Sequence, residues 1–259
     1  MRERAKGVSD MDEDVVMITG AGRGLGRAYA LAFAERGSAV AVCDIDIESA
    51  VRVQEEIDSR GGHAAAVHLD VAAASSVAAA VAEVEARLGA PTVLVNNAAK
   101  FADLAMRSFL EIPLAEWELV MAVNTTGAFL CARAVAPRMI EIGRGKIINI
   151  SSSTVWIGRP GYLHYVTSKS ALIGMTRALA NELGPHGINV NAVTPGATRT
   201  EIERTTMSEE RWVEVGRQTA LGRHARPADM VGAVLFLASA DAGFITGQVL
   251  NVDGGRSFP

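Results

Sequence analysis

The chain has 259 residues, 49% of them hydrophobic and 21% charged, with a formal net charge of -4 and a pI near 5.8. That is enough for one sizeable α/β core, while the acidic balance and the lack of a Lys/Arg run with interleaved aromatics exclude a nucleic-acid partner. Two cysteines, Cys43 and Cys131, cannot build a disulfide framework and read as small core residues of a reducing compartment.

In chain order, residues 1–13 carry charges of both signs and no apolar centre, which predicts a flexible tail and not a secretory signal. No apolar stretch is expected to span a membrane, so cytoplasmic residence is the default expectation. The periodicity then predicts strand 15–19 and helix 25–36, strand 39–43 and helix 48–59, strand 64–69 and helix 75–88. Strand 92–95 precedes a long helical stretch over 113–142, strand 146–150 a helix over 162–183, and strand 188–193 a polar segment. Helix 227–239 and strand 248–252 close the chain. The strands are continuous apolar runs, the mark of strands covered on both faces. Repeated strand–helix units of that kind predict a doubly wound parallel sheet, a Rossmann fold, in one domain over 14–259. The polar segment, about 198–222, breaks the alternation at the carboxyl end of a strand, where a small helical substrate lid belongs.

Gly20, Gly24 and Gly26 in Thr19-Gly-Ala-Gly-Arg-Gly-Leu-Gly follow the first strand and open the first helix. Such glycines let a backbone turn tightly against a pyrophosphate, which the helix N-terminus attracts. Asp44 follows the second strand and suits the ribose hydroxyls of NAD while repelling the 2′-phosphate of NADP; Arg23 opposes that reading, since it could hold such a phosphate. Asp70 is either a helix-capping acid or an acceptor for the adenine amino group. Tyr165 and Lys169 are four apart on one helical face, and an ammonium there favours the phenolate, giving an acid/base for alcohol oxidation or ketone reduction. His164 points away from that face and reads as packing or surface. The remaining histidines, 63, 68, 186 and 224, show no ligand spacing, and no metal is expected.

Together with Asn96-Asn97-Ala98, the serines 151–153, Asn124 and Pro195-Gly196, these motifs resemble the short-chain dehydrogenase/reductase family from Val15 to Gly255. The resemblance implies Tyr165 as acid/base, Lys169 as its partner and ribose ligand, and Ser152 as the hydrogen-bond donor to the reacting oxygen. Asn124 would anchor a water and Lys169 in a proton relay. Asn96 would lie at the adenosine side of the cofactor. Leu25, Val71, Asn97, Ala98, Pro195 and Gly196 would line the cofactor, with Thr200, or less well Thr198, on its carboxamide. The family usually carries Gly where Ala99 stands, which questions the local geometry if that residue has φ > 0.

The expected activity is hydride transfer between NAD(H) and a secondary alcohol or ketone, compact and cyclic or aromatic. The expected pocket is bounded by Phe101, Ser153, Thr154, Trp156, Tyr162 and Ala197, with Met207 and Trp212 as the lid's apolar cover and Arg159 at the rim. Trp156 and Tyr162 fit a core role equally well. The alternatives are a 3-oxoacyl-thioester reductase, against which Asp44 and the acidic pI weigh, and a sugar or polyol dehydrogenase. The resemblance also implies a homotetramer formed through 120–140, 162–183 and 248–259.

Overall fold

The computed structural model describes Met11 and residues 14–203 and 206–259. Seven strands, β1 (Val15–Thr19), β2 (Ala39–Asp44), β3 (His63–His68), β4 (Val93–Asn96), β5 (Gly145–Ile150), β6 (Ile188–Pro195) and β7 (Val249–Val252), form one sheet in the order β3-β2-β1-β4-β5-β6-β7. Every pairing is parallel. The chain runs outward from β1 to β3, then returns to lay β4 against the other side of β1. That reversal opens a crevice beyond the carboxyl ends of β1 and β4, where ligands of such sheets bind.

The continuous apolar runs are explained by two separate cores. Val16 and Ile18 face one layer with Tyr29, Phe33, Val53, Ile57 and Val234; Val15 and Met17 face the other with Val77, Val84, Leu130, Val135 and Leu183. The first layer holds α1 (Gly24–Ala34), α2 (Ile47–Ser59) and a late helix over Pro227–Ala238; the second holds α3 (Ala74–Leu88) and the long helices that follow β4 and β5. Cys43 and Cys131 are both buried, and burial raises both thiols, Cys131 to about 12, as small core residues require.

Two expectations are corrected. The stretch 113–142 is two helices, α4 (Leu114–Met121) and α5 (Gly127–Ile142), joined by a π-helical turn over Ala122–Thr126. This stretch, Leu114–Ile142, is long and apolar enough to cross a membrane, with mean hydropathy 1.5. Its apolarity is that of a core helix, since α5 packs Leu130, Cys131, Val135 and Met139 into the second layer. Finally, the expected flexible tail over 1–13 mostly lies outside the described residues, but Met11 does not: it is 2% exposed, packed into the first core, and its carbonyl accepts from the Ser38 hydroxyl.

The remaining helices are α6 (Thr154–Ile157), α7 (Leu163–Leu183), α8 (Glu209–Arg217) and α9 (Pro227–Ala238). The polar segment after β6 contains α8 and is pinned at its base, where Arg199 N donates to the Ala225 carbonyl at 2.9 Å and Thr198 bridges Ala225.

Candidate active site

The glycine turn is built for close approach. Gly24 has φ +61°, and a Cβ on Gly26 would lie 2.1 Å from the Gly20 carbonyl oxygen, so larger residues are excluded from the turn. Asn97 knits it to β4: its Nδ2 donates to the carbonyls of Thr19 and Gly20 at 3.0 and 2.9 Å, and the Asn97 and Ala98 amides both donate to the Thr19 hydroxyl at 3.0 Å. Asp44 Oδ2 accepts from the Gly22 amide at 2.8 Å and Oδ1 from Asp46 N at 3.0 Å. Each carboxylate oxygen keeps acceptor capacity after that bond. Arg23 is exposed and lies within electrostatic reach of Asp103, whose carboxyl is held below the usual range first by its bond to Lys100 and then, among smaller effects, by Arg23. Asp70 Oδ1 closes a turn on the Ala72 amide at 2.9 Å, and Ala73, not Asp70, is the N-cap of α3. Val71 packs on Gly127, where a Cβ would meet it at 2.8 Å. The cradle of glycines and the poised acid fit a dinucleotide.

Ala99 raises no strain, because no described non-glycine residue has positive φ. Asn96 is a correction: it is 4% exposed, with Nδ2 bonded to Asn149 Oδ1 at 2.9 Å, and Asn149 in turn donates to Thr176 Oγ1 at 2.8 Å. It joins β4 to β5 and α7 below the crevice.

The residues expected to be catalytic lie around the carboxyl end of β5. Lys169 is 2% exposed, donates from Nζ to the Ile150 carbonyl at 2.7 Å and lies 6.0 Å from the Tyr165 ring centroid. Burial pulls its ammonium from 10.5 down to about 7. Phe101 stacks on Tyr165 at 4.1 Å between centroids and shields it. The three serines separate by bonding. Ser151 Oγ donates to the Lys169 carbonyl at 2.7 Å and is committed to holding α7. Ser152 Oγ accepts from Thr154 N and Oγ1 at 3.3 and 2.9 Å, which leaves its own proton for a substrate oxygen. Asn124 sits in the π-helical turn, a feature common at functional sites. Its side chain bonds the Lys100 backbone, with Oδ1 accepting at 2.7 Å, and Ser168 Oγ at 3.0 Å. It ties the turn after β4 to α7 at Ser168, the residue next to Lys169.

Pro195 is the last residue of β6 and Gly196 follows it, where a Cβ on Gly196 would meet Asp253 at 2.8 Å. Thr198 is 3% exposed and bonded to the Gly196 carbonyl, while Thr200 reaches within 4.0 Å of the Cβ position of Gly24. The segment also brings Glu201 onto the glycine turn, where Oε1 accepts from Gly24 N at 2.7 Å. Leu25 is half-buried in the first turn of α1. Of the expected pocket residues, Phe101 and Tyr162 do gather, with centroids 5.6 Å apart, but Trp156 turns to Thr194 with Nε1 donating at 3.2 Å. Trp212 also turns inward, 7% exposed and against His224 at 5.3 Å, so it packs within the lid. His164 is fully buried, 3.2 Å from Glu116, and serves packing. Sequence reasoning missed a cavity of about 150 Å³ lined by Met106, Ile157, Arg159, Pro160, Arg211, Val215 and Arg256. Its parts come from four separate stretches of chain, and only Arg159 stood near a motif.

A family model described as enoyl-(acyl carrier protein) reductase matches residues 20–257. A relative from Thauera aromatica, the (2S)-[(R)-hydroxy(phenyl)methyl]succinyl-CoA dehydrogenase subunit BbsD, is 39% identical across 94% of this chain and 96% of its own. The chain belongs to the short-chain dehydrogenase/reductase family. It is therefore an oxidoreductase that uses a nicotinamide cofactor and acts on small molecules. The 3-oxoacyl-[acyl-carrier-protein] reductase FabG of Aquifex aeolicus is 38% identical over 93% of this chain and 96% of that protein. Among solved structures, a gluconate 5-dehydrogenase from Burkholderia cenocepacia in complex with NADP and tartrate superposes with a TM-score of 0.90 at 35% identity, covering 96% of this chain and 97% of the other. A short-chain type dehydrogenase/reductase from Mycobacterium marinum gives 0.87 at 34%, covering 97% and 98%.

Proposed function

We propose that this short-chain dehydrogenase/reductase moves a hydride between NAD(H) and a compact secondary alcohol or ketone. The observation that carries the reading is the Tyr165–Lys169 pair on α7 under the ring of Phe101, with Ser152 just past the end of β5 keeping its own proton uncommitted. The glycine turn and Asp44 would hold a nicotinamide cofactor, which would supply the hydride acceptor for the alcohol and the hydride donor for the ketone. Tyr165 takes the hydroxyl proton in oxidation and gives it back in reduction. Ser152 donates to the same oxygen and fixes it against Tyr165. The Lys169 ammonium, present below about pH 7 in the free protein, favours the phenolate. Asn124 holds the wall of the site by tying Lys100 to Ser168.

NAD is preferred in this reading because Asp44 stands at the ribose end with acceptor capacity to spare. The gluconate 5-dehydrogenase carries NADP, so the choice rests on Asp44 itself. The rings of Phe101 and Tyr162 beside Tyr165 favour a cyclic or aromatic body on the substrate. A second reading, reduction of a 3-oxoacyl thioester, is favoured by the matching family model and by FabG. The deciding assay follows NAD and NADP reduction over cyclic and aryl alcohols, sugars and hydroxy acids, and NADH and NADPH oxidation with an acetoacetyl thioester. Turnover confined to the thioester overturns the first reading.

The assembly we propose is a cytoplasmic homotetramer joined through α5, α7 and the C-terminal strand. Phe129, Ile140, Leu163 and Leu250 are exposed apolar side chains on those elements. Light scattering that reports monomer alone would refute it.

A further inference from the structure

The cavity beside the proposed substrate site is lined by three arginines that the catalytic machinery does not use. Arg159 follows α6, Arg211 stands on α8 and Arg256 lies beyond β7. Two other arginines of this segment show ordinary pairing. Arg199 is bonded to Glu209 and Arg223 to Asp229. Among the described residues, neither Arg159 nor Arg211 has a carboxylate partner. Arg256 donates to the neutral Gln218 Oε1 at 2.7 Å. Asp253, the acid within electrostatic reach of Arg256, is engaged elsewhere: Oδ1 accepts the Gly255 and Arg256 amides, each at 3.0 Å, and Oδ2 accepts from Ser257 Oγ at 2.6 Å. Burial and then the charges of Arg159 and Arg211 pull the Arg256 guanidinium below its usual range, which places the three within mutual reach. Asp253 acts on Arg256 in the opposite sense, but one carboxylate does not balance three guanidiniums, and the remaining like charges oppose one another unless an anion joins them.

The cluster is held in place. Leu221 N donates to the Gly254 carbonyl at 3.1 Å, so the segment before Arg256 is fastened to the lid. It also faces the chemistry. Arg159 Cζ lies 4.8 Å from the Tyr162 centroid, Tyr162 is 5.6 Å from Phe101, and Phe101 stacks on Tyr165 at 4.1 Å. An anionic group seated among the guanidiniums would have an apolar ring path between itself and the acid/base.

We infer that Arg159, Arg211 and Arg256 form an anion subsite that takes a carboxylate or phosphate group of the substrate. The inference rests on the reading of the neighbouring site as one for a secondary alcohol or ketone. Guanidinium forks match both anions, and Met106, Ile157 and Val215 supply the apolar wall against which the attached carbon chain lies.

The test uses the full-length protein and calorimetric titration with malonate, inorganic phosphate, coenzyme A and pantetheine. Wild type is compared with Arg159→Gln, Arg211→Gln and Arg256→Gln, and with Arg217→Gln elsewhere on α8 as a control. Circular dichroism melts verify folding. Anion binding is expected in wild type and the control, weakened roughly tenfold or more in each of the three variants. Preference for malonate assigns the charge to a carboxylate on the substrate, and preference for coenzyme A over pantetheine assigns it to a thioester carrier's phosphate; both uphold the subsite. Absence of anion binding, or binding unchanged in the three variants, overturns it. A protein that binds malonate through these arginines yet oxidises or reduces no alcohol, ketone or thioester keeps the subsite and refutes the dehydrogenase reading. One that turns over neutral alcohols without binding anions does the reverse.

Discussion

The crevice at the carboxyl edge of the sheet has two walls that are held in different ways. The wall beneath, from the glycine turn to α7, is fixed by backbone and short buried bonds: Asn97 on the Thr19 and Gly20 carbonyls, Ser151 on Lys169, Asn124 on Lys100 and Ser168. The wall above, from Thr198 to Arg226 with the C-terminal segment, is fixed by charge pairs on long side chains, Arg199–Glu209 and Arg223–Asp229, and by few buried apolar groups. Such pairs are partly exposed, are screened by solvent and hold the segment only weakly. The lower wall is therefore rigid where proton transfer needs precision, and the upper wall is of the low-stability kind from which lids are drawn.

The largest effect should come from the lower wall. Tyr165→Phe keeps the ring stacked on Phe101 and removes the proton, so kcat should fall by about 10²–10⁴-fold, with cofactor affinity kept. Retention of a tenth of wild-type kcat would break the claim that this wall carries the chemistry. Lys169 sharpens the point because it sets function against stability. Its pKa falls from 10.5 to about 7 on burial, so the folded protein holds fewer protons than the unfolded chain between those values. The penalty on the charged form is full below pH 7, shrinks as pH rises and is gone above 10.5. Lys169→Met should thus lose activity yet raise the melting temperature of the cofactor-free protein, by more at pH 6 than at pH 10. A gain that is independent of pH would show that packing and not charge is the cause.

The difference between the walls also decides what could be read in the sequence. Tyr165 and Lys169 are four residues apart, the glycines lie in one turn, and Asp44 ends the next strand; local spacing alone sets their geometry. The seven strands were legible because both faces are covered, so each is an unbroken apolar run. The π-helical turn at Asn124 was not, since its residues carry no breaker and the apolar period continues through it. Asn96 misled for a related reason: the Asn96-Asn97 pair alternates faces, and the strand register puts Asn96 opposite Asn149 in the core while Asn97 faces the glycines. Trp212 offered apolar cover on paper, but it is buried, with His224 and Arg199 against its ring. The arginine-lined cavity is convergence across more than 150 positions of sequence, from Met106 to Arg256, and no window of sequence contains it.

Asp44 stands at the border of the two walls and gives a smaller, selective effect. Asp44→Ala removes the charge that the proposed binding mode sets against the 2′ position, so kcat/KM with NADP should rise roughly tenfold relative to NAD. The comparison is made on one substrate with both cofactors. It also removes the acceptor of the Gly22 amide, so some loss with NAD is expected in the same variant. A wild type that uses both cofactors equally would return the choice to Arg23.

The smallest effect tests the upper wall directly. Glu201 reaches from the lid to the first turn of α1, where its carboxylate accepts from Gly24 N at 2.7 Å, and Ile202 covers the same glycine. A helix N-terminus favours negative charge, so the carboxylate sits where the pyrophosphate of the proposed cofactor is expected. Cofactor binding must then displace it, and the apparent affinity is lowered by the share of molecules in which the lid is docked. Glu201→Gln keeps the shape and a hydrogen-bonding oxygen but loses the charge. A charge-assisted bond at such a partly open site is worth about 1 kcal/mol, so NADH should bind the variant a few-fold more tightly, read by its fluorescence on titration. The gap between variant and wild type should narrow in high salt, because screening weakens the carboxylate's hold. Unchanged affinity at every salt concentration would mean that the lid leaves Gly24 without cost. Weaker affinity would mean that Glu201 helps to hold the cofactor, and the upper wall would then belong to the binding site as firmly as the lower one.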